Sequence, residues 1–544
     1  MATAPIVGGE LLQLSLDDAE LTAARHAIGL AEQGFSAGNV LTSLSAAPPP
    51  GAFDAYNIDP ASGQTLTLPA GGEALTLYGA QGASLIGHTG AELLIGNAGN
   101  DTIDAAGGSG TIIAGPGRSW IELAPPGQVG GSQDIVSGAG VDTVNLFGGH
   151  ASVTGAATDR VNVRAGDNTL VGNSALNVDI AGGTNVIELM SSSQVDVDAA
   201  GDDTIESGSG ATATLVTIDQ TGAASIDLVG GSSDRVVIRA GSHTISASAA
   251  GSFSVKGGAN SLILAGGGTV TFSAGVNSLI LGGTNSLVRE DGGAASVSLQ
   301  RGQADTVDAN GADTLTLASA DTVNVGGGRS AIAETGPGDV LNLSHGGSDT
   351  ITGGVSINVL DDARYTLVID KGNDAISFGS GMDTITESGT ATVQSAGGNV
   401  TVTALDAATT FEAGSGHSTF IGGVDGGVGL GQGDDTFIGG SGATLMIGGI
   451  AANEFVGGTG HDTMDAGAGV PNLFMFASSQ SGGDHVIENF QPGHDRIDLI
   501  GYDTATALAD AVVRGGSTVI ALDSGATSII LQGFTNLTGS DFVH

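Results

Sequence analysis

Five nonapeptides, YGAQGASLI, GHTGAELLI, GNAGNDTID, AAGGSGTII and AGPGRSWIE, follow one another without a gap over residues 78–122. Their eighth positions are Leu85, Leu94, Ile103, Ile112 and Ile121, whereas their sixth positions vary as Ala83, Glu92, Asp101, Gly110 and Ser119. A second run in strict register, LGQGDDTFI, GGSGATLMI, GGIAANEFV and GGTGHDTMD, covers residues 430–465 with Asp435, Thr444, Asn453 and Asp462 at position six. Between the runs the beat persists with slips of about one residue, as an Asp or Asn two places before an aliphatic. Glycine pairs permit tight turns, and the polar–aliphatic alternation after them suits a short strand with one buried face. The period predicts an all-β fold, a parallel β-solenoid (β-roll or β-helix) of 8–9-residue half-turns, with two half-turns to a coil.

Composition supports thin layers of small aliphatics: 95 glycines and 4% aromatic residues do not fill an ordinary globular core. Cysteine is absent, which removes disulfides and thiolate ligands. The formal charge of -43, from 14 Lys plus Arg against 57 Asp plus Glu, excludes nucleic acid and anionic membrane as natural partners and points to cations. No apolar run is long enough to insert in a membrane, and the N-terminus lacks a basic region followed by an apolar one. The expectation is that export, if it occurs, does not use an ordinary N-terminal signal.

Glycines and aliphatics specify the coil, while position six decides whether a turn can hold a cation. Same-side neighbours lie about 18 residues apart, so Asp435 should stack on Asn453 and Thr444 on Asp462. Asp305, Asp321 and Asp339 form the best acidic column elsewhere, and Asp374 and Asp383 should face opposite sides. The competing reading is that each Asp or Asn only caps its turn by accepting backbone N–H groups. Asn-rich stretches such as residues 257–288 read as neutral hydrogen-bonded ladders without metal.

GGTGHDTMD at residues 457–465 resembles the RTX (repeats-in-toxin) nonapeptide G-G-x-G-x-D-x-U-x almost perfectly. The segments DHVIENF (484–490), DRIDL (495–499), LQGF (531–534) and DFVH (541–544) resemble the C-terminal domain that follows RTX repeats in serralysin-type proteases and other substrates of type I secretion. The resemblance covers roughly the last 120 residues and the middle only by rhythm. It implies Ca²⁺ held between coils by turn carbonyls and aspartates, an uncleaved C-terminal secretion signal, and folding outside the cell once calcium is met. The candidate ligands are Asp101 with Gly99, Asp142, Asp305, Asp321, Asp339, Asp383, Asp435 with Gly433, and Asp462 with Gly460.

Four regions follow: 1–60, an N-terminal helical cap or an assembly or anchoring segment; 61–425, a solenoid with degenerate repeats; 426–471, the nonapeptide roll; and 472–544, a C-terminal β domain with the secretion signal. In the first, Ser15 is expected as N-cap, with Asp17, Asp18 and Glu20 in the first turn. Leu21, Ala24, Ile28 and Ala31 form one face, Gly34 is the stop, and residues 48–50 link to the solenoid.

Catalysis finds little support. The chain has no His-Glu pair for an H-E-x-x-H zinc site, and GHSTF (416–420) puts Phe where a nucleophile elbow needs Gly. Arg235, Arg239 and His243 near Asp234 are the one cluster reminiscent of glycan-processing β-helices. The expectation is a non-enzymatic, secreted, self-assembling structural protein of the cell surface or extracellular matrix, such as a surface layer, filament, biofilm matrix or adhesin. Its partners would be calcium ions, copies of itself and a cell-surface glycan or lipopolysaccharide. The alternative is a polysaccharide-modifying enzyme, lyase- or epimerase-like, with an acidic–basic cluster in one groove.

Overall fold

A computed structural model describes residues 1–45, 51–124, 130–155, 159–197, 201–209, 211, 214–219, 221–230, 233–300, 305–318, 320–326, 329–334, 339–344, 347–352, 356–359, 365–370, 373–379, 381–405, 409–423, 427–467 and 469–543. The proposed linker at residues 48–50, together with His544, lies outside them. The chain forms two compact units, Met1–Gly283 and Thr284–His544. Both are parallel β-solenoids, together holding about 21 turns.

In the first unit, successive strands alternate between two parallel sheets. Sheet I holds Ala91–Ile95, Ser109–Ile113, Ser132–Val136 and His150–Gly155, and sheet II holds Thr102–Asp104, Trp120–Glu122, Thr143–Leu146 and Asp159–Val163. Leu94 pairs with Ile112 and Ile103 with Ile121, the 18-residue coil expected from two nonapeptides. Farther along, Val153 pairs with Leu170 and Val161 with Val178, so the slipping middle beat is a coil of 17 residues. The eighth-position aliphatics point inward and are fully buried, and each coil completes its backbone hydrogen bonds only through its neighbours.

The N-terminal helix α1, Asp18–Ala31, is capped two residues later than expected. Asp17, not Ser15, accepts the Glu20 N–H (2.8 Å) while Glu20 accepts the Asp17 N–H (2.9 Å), because only a side chain at N-cap closes this reciprocal box. Ser15 instead accepts the Gly79 N–H at 2.9 Å. Leu21, Ala24, Ala27 and Ile28 pack on Phe53, Ala55, Leu93, Ile95 and Ile113. The helix therefore lies on the outer face of sheet I and not across the edge of the first coil, drawn there by the outward apolar residues of those strands.

The second unit repeats the alternation, for example Thr314–Leu317 with Ala331–Glu334 and Thr322–Val325 with Val340–Leu343. Its last coils carry an internal aromatic column, with Phe437 stacked on Phe455 (5.4 Å between centroids) and Phe455 on Phe474 (4.9 Å). Coiling does not stop near Asn472. Leu473–Ala477, Asp484–Glu488 and Arg496–Ile500 each add a parallel strand to the sheet two strands earlier. Longer turns hide the nine-residue beat here, since Thr463 pairs with Val486, yet Phe474, Ile487 and Ile497 still point into the core. The unit ends in the antiparallel strands Val512–Arg514, Ser517–Leu522 and Thr527–Leu531. Among the described residues, no helix is long and apolar enough to cross a membrane.

Candidate metal centre

The sixth-position side chains form buried ladders along the coil corners. Each accepts a hydrogen bond from the backbone N–H of the ladder residue one coil earlier. Ala83 donates to Asp101 (2.9 Å), Ser119 to Asp142 (2.6 Å), Ser286 to Asp305 (2.7 Å), Asp305 to Asp321 (3.3 Å) and Asp321 to Asp339 (2.8 Å). Ser418 donates to Asp435 (2.8 Å), Asp435 to Asn453 (3.1 Å) and Thr444 to Asp462 (3.2 Å), so the two stacked columns expected in the last roll are present. Asp374 and Asp383 begin strands of opposite sheets.

Geometry decides which carboxylates have an oxygen left for a cation. In Asp101, Asp142 and Asp462 both oxygens are hydrogen-bonded: the second accepts the N–H four residues earlier, from Asn97 (2.8 Å), Gly138 (3.0 Å) and Gly458 (3.1 Å). Asp321 takes the N–H three residues earlier, from Ala318 (3.2 Å). Asp462 also faces the buried His485 imidazole, Nδ1 to Oδ2 at 3.1 Å. These four are turn caps in hydrogen-bonding terms. By contrast, the buried Oδ2 atoms of Asp305, Asp339, Asp349 and Asp435 have no hydrogen-bond partner. Asp383 is buried at the same ladder position.

The Asn columns show what surrounds such an atom. Asn168, Asn185, Asn260 and Asn277 each donate Nδ2–H to a turn carbonyl three residues earlier, that of Ala165, Gly182, Gly257 and Ala274. An aspartate at this place presents an oxygen where asparagine presents a donor. Buried without a donor, it is costly unless a proton or a cation supplies the missing positive charge. Oxygen donors alone suit a hard cation. A hard cation held at an open aspartate would meet oxygen alone, and Asp435 is the one whose whole turn is described. A groove of about 560 Å³, lined in part by Asp434, Asp435 and Asn453, leads to that turn. Burial pushes the Asp435 carboxyl up to about 6 despite the nearby N–H groups of Ser418, Gly433 and Gln432. Those of Asp305, Asp339 and Asp349 are raised for the same reason. Among the described residues, no three His, Asp or Glu side chains converge as a ready-made cluster.

At Gly433 and Gly460 the turns leave no room for a side chain. A Cβ on either would sit 1.8 Å from the Gly416 carbonyl or 2.0 Å from that of Gly442, so only glycine lets the turns stack this closely. A Cβ on Gly99 would likewise sit 2.3 Å from the Gly82 nitrogen.

Several residues carry signals the sequence did not reveal. Histidine takes the ladder position twice: His243 Nδ1 accepts the Ala224 N–H (2.9 Å) and its Nε2 lies 2.7 Å from the Ala240 carbonyl, which leaves it buried and neutral with its pKa lowered by burial. His243 is therefore separated by its role from Arg235, which is exposed, and Arg239, which pairs with Asp219. The catalytic-looking cluster is a ladder rung beside a surface ion pair, with Asp234 accepting the Thr214 N–H at 2.8 Å. A separate acidic–basic groove of about 360 Å³ lies on sheet II, lined by Arg160, Asp179, Asp196, Asp219 and Arg239 among others. No protein-family model and no curated protein matches this chain.

Proposed function

We propose that the protein is a secreted, calcium-dependent β-solenoid scaffold of the cell surface or extracellular matrix, related to the RTX proteins and exported by type I secretion. The observation that carries this reading is the set of buried carboxylates with an open oxygen, Asp305, Asp339, Asp349 and Asp435, in a chain of charge -43. Without cations, self-repulsion and these uncompensated charges oppose folding; with calcium both are relieved. The chain would stay loose in a low-calcium cytosol and fold outside, where weak sites fill at millimolar levels. The near-continuous coiling of both units supports a structural role, and self-association into layers or filaments belongs to the same proposal.

The test is circular dichroism with negative-stain microscopy of the whole chain, titrated from chelator into millimolar calcium. β signal and ordered assemblies that appear together and reverse with chelator support the scaffold. A fully folded monomer in chelator, unchanged by calcium, overturns it. The sheet II groove is the observation that favours the second reading, a polysaccharide-modifying enzyme; release of new reducing or unsaturated ends from glycans would establish it.

A further inference from the structure

We propose that the outer face of sheet II in the first unit, from Trp120 to Gln194, binds an extended neutral glycan chain lying along the stack. This inference depends on neither calcium nor assembly, so it can fail without touching the scaffold reading.

Parallel register builds the site. Trp120, Thr143, Arg160, Asn177 and Gln194 occupy one outward column on consecutive strands, and Glu122, Asn145, Asn162, Asp179 and Asp196 occupy the next. At about 4.8 Å per strand, Trp120 to Gln194 spans roughly 19 Å, room for several sugar rings in a row. Trp120 is the only tryptophan of the chain and is 49% exposed on a flat sheet. Its indole is a platform for the C–H face of a pyranose, with a ring N–H at its edge.

Beyond it the polar groups are held in place by one another. Arg160 Nε–H donates to Asn162 Oδ1 (2.9 Å), and Asn162 Nδ2–H donates to Asn145 Oδ1 (2.7 Å). Asp179 receives Arg164 at 3.2 Å and Arg160 at 3.7 Å, and Gln194 Nε2–H donates to Asp196 (2.9 Å). Amide, carboxylate and guanidinium groups are each planar and two-pronged, which matches the paired hydroxyls of a sugar. Fixing them in advance lowers the entropy lost on binding.

Charge selects the ligand class. Three arginines, Arg160, Arg164 and Arg239, stand against four carboxylates, Asp179, Asp196, Asp219 and, at the Trp120 end, Glu122, so the face is close to charge balance in a chain of charge -43. A polyanionic glycan would meet repulsion from the rest of the molecule, and a cation would meet the arginines. Uncharged hydroxyls meet neither.

The single tryptophan is a built-in reporter. Cellohexaose and chitohexaose should be titrated into the full chain while tryptophan emission is followed, with polygalacturonate as the anionic control. At least one neutral hexasaccharide should give a saturable emission change that persists in high salt. Asn162→Ala and Asn177→Ala should each weaken it about tenfold, roughly the loss of a hydrogen-bonded contact. Thr269→Ala, on the same face beyond the groove, should leave it unchanged, and circular dichroism establishes that all three variants are folded. Absence of any response to both neutral probes overturns the proposal. So does a response that prefers polygalacturonate and vanishes with salt, or one that the asparagine variants retain in full.

Discussion

Asn260 and Asp435 occupy the same ladder position and solve the same problem differently. Asn260 accepts the His243 N–H (2.9 Å) and donates to both the Gly257 carbonyl (2.7 Å) and Asn277 Oδ1 (3.0 Å), so its amide is closed within the protein. Asp435 accepts the Ser418 N–H (2.8 Å), and its buried Oδ2 makes no hydrogen bond of good geometry, although the Gly433 and Gln432 N–H groups lie near the carboxyl. One column is complete as folded. The other buries an oxygen where the first buries a donor, and a single atom, nitrogen or oxygen, makes the difference.

The sharpest way to break this contrast is Asn260→Asp. It replaces two donated hydrogen bonds by a buried, uncompensated charge, and urea unfolding at pH 8 in chelator should show a loss of about 3–5 kcal/mol. A loss below about 1 kcal/mol would mean the Asn columns are not set by their amide donors.

Next in size is calcium itself. At about a hundredfold excess over Kd, calcium should stabilise the wild type by about 2.7 kcal/mol for each site that binds only the folded chain. Asp435→Asn should bind fewer ions by metal analysis and be more stable than wild type in chelator. Equal ion content in the two proteins would remove Asp435 from the site.

Protons should imitate the cation. Burial raises Asp101 to about 6, Asp142 to about 7 and Glu92 to about 8, while the unfolded carboxyls titrate near 3.8 to 4.5. Folded pKa values above the unfolded ones mean that the folded chain binds more protons in this window, so stability falls as pH rises through it. In chelator the first unit should gain about 2 kcal/mol between pH 8 and pH 6.5. Below that, His243 acts in the opposite direction, because its depressed pKa makes folding oppose its protonation. A stability that instead increases steadily from pH 6.5 to 8 would contradict the burial of these carboxyls.

The smallest effect is predicted for Asp462→Asn. Both oxygens of Asp462 already accept N–H groups, so the change should cost about 1 kcal/mol and leave the ion content unaltered. Loss of an ion in this variant would show that its hydrogen bonds give way to metal.

Much of this architecture was legible. Leu85, Ile103 and Ile121 at fixed spacing gave the buried line of sheet II, and the 18-residue rule paired Asp435 with Asn453 and Thr444 with Asp462. The near-perfect match of residues 457–465 to a metal-binding repeat proved a poor guide to open oxygens. Whether Oδ2 is hydrogen-bonded depends on a backbone N–H three or four residues back: Gly458 supplies it to Asp462, whereas the Gly431 N–H goes to the Ile447 carbonyl and not to Asp435. Composition could not reveal that, because both turns read as glycine–x–aspartate. Histidine at position 243 was equally hidden: that its ring nitrogen stands in for an amide or carboxylate oxygen shows only once the coil register is known. The continuation of coils past Asn472 was masked by longer turns, and α1 was placed at an edge because a helical face reveals that it packs, not on which surface.

The ladders also have a direction, since every rung borrows its acceptor from the coil that follows. The nonapeptide run starts at Ala83, which has no side-chain oxygen to lend. At the other end, Asp495 accepts the Asn472 N–H (2.9 Å) and returns its own N–H to Gln491 in the same loop (2.8 Å). Beside it Val543 donates to the Ile497 carbonyl (2.9 Å), fastening the tail across the last strand of its sheet. At this end of the second unit the last rung is answered inside its own loop, so the ladder closes within one chain.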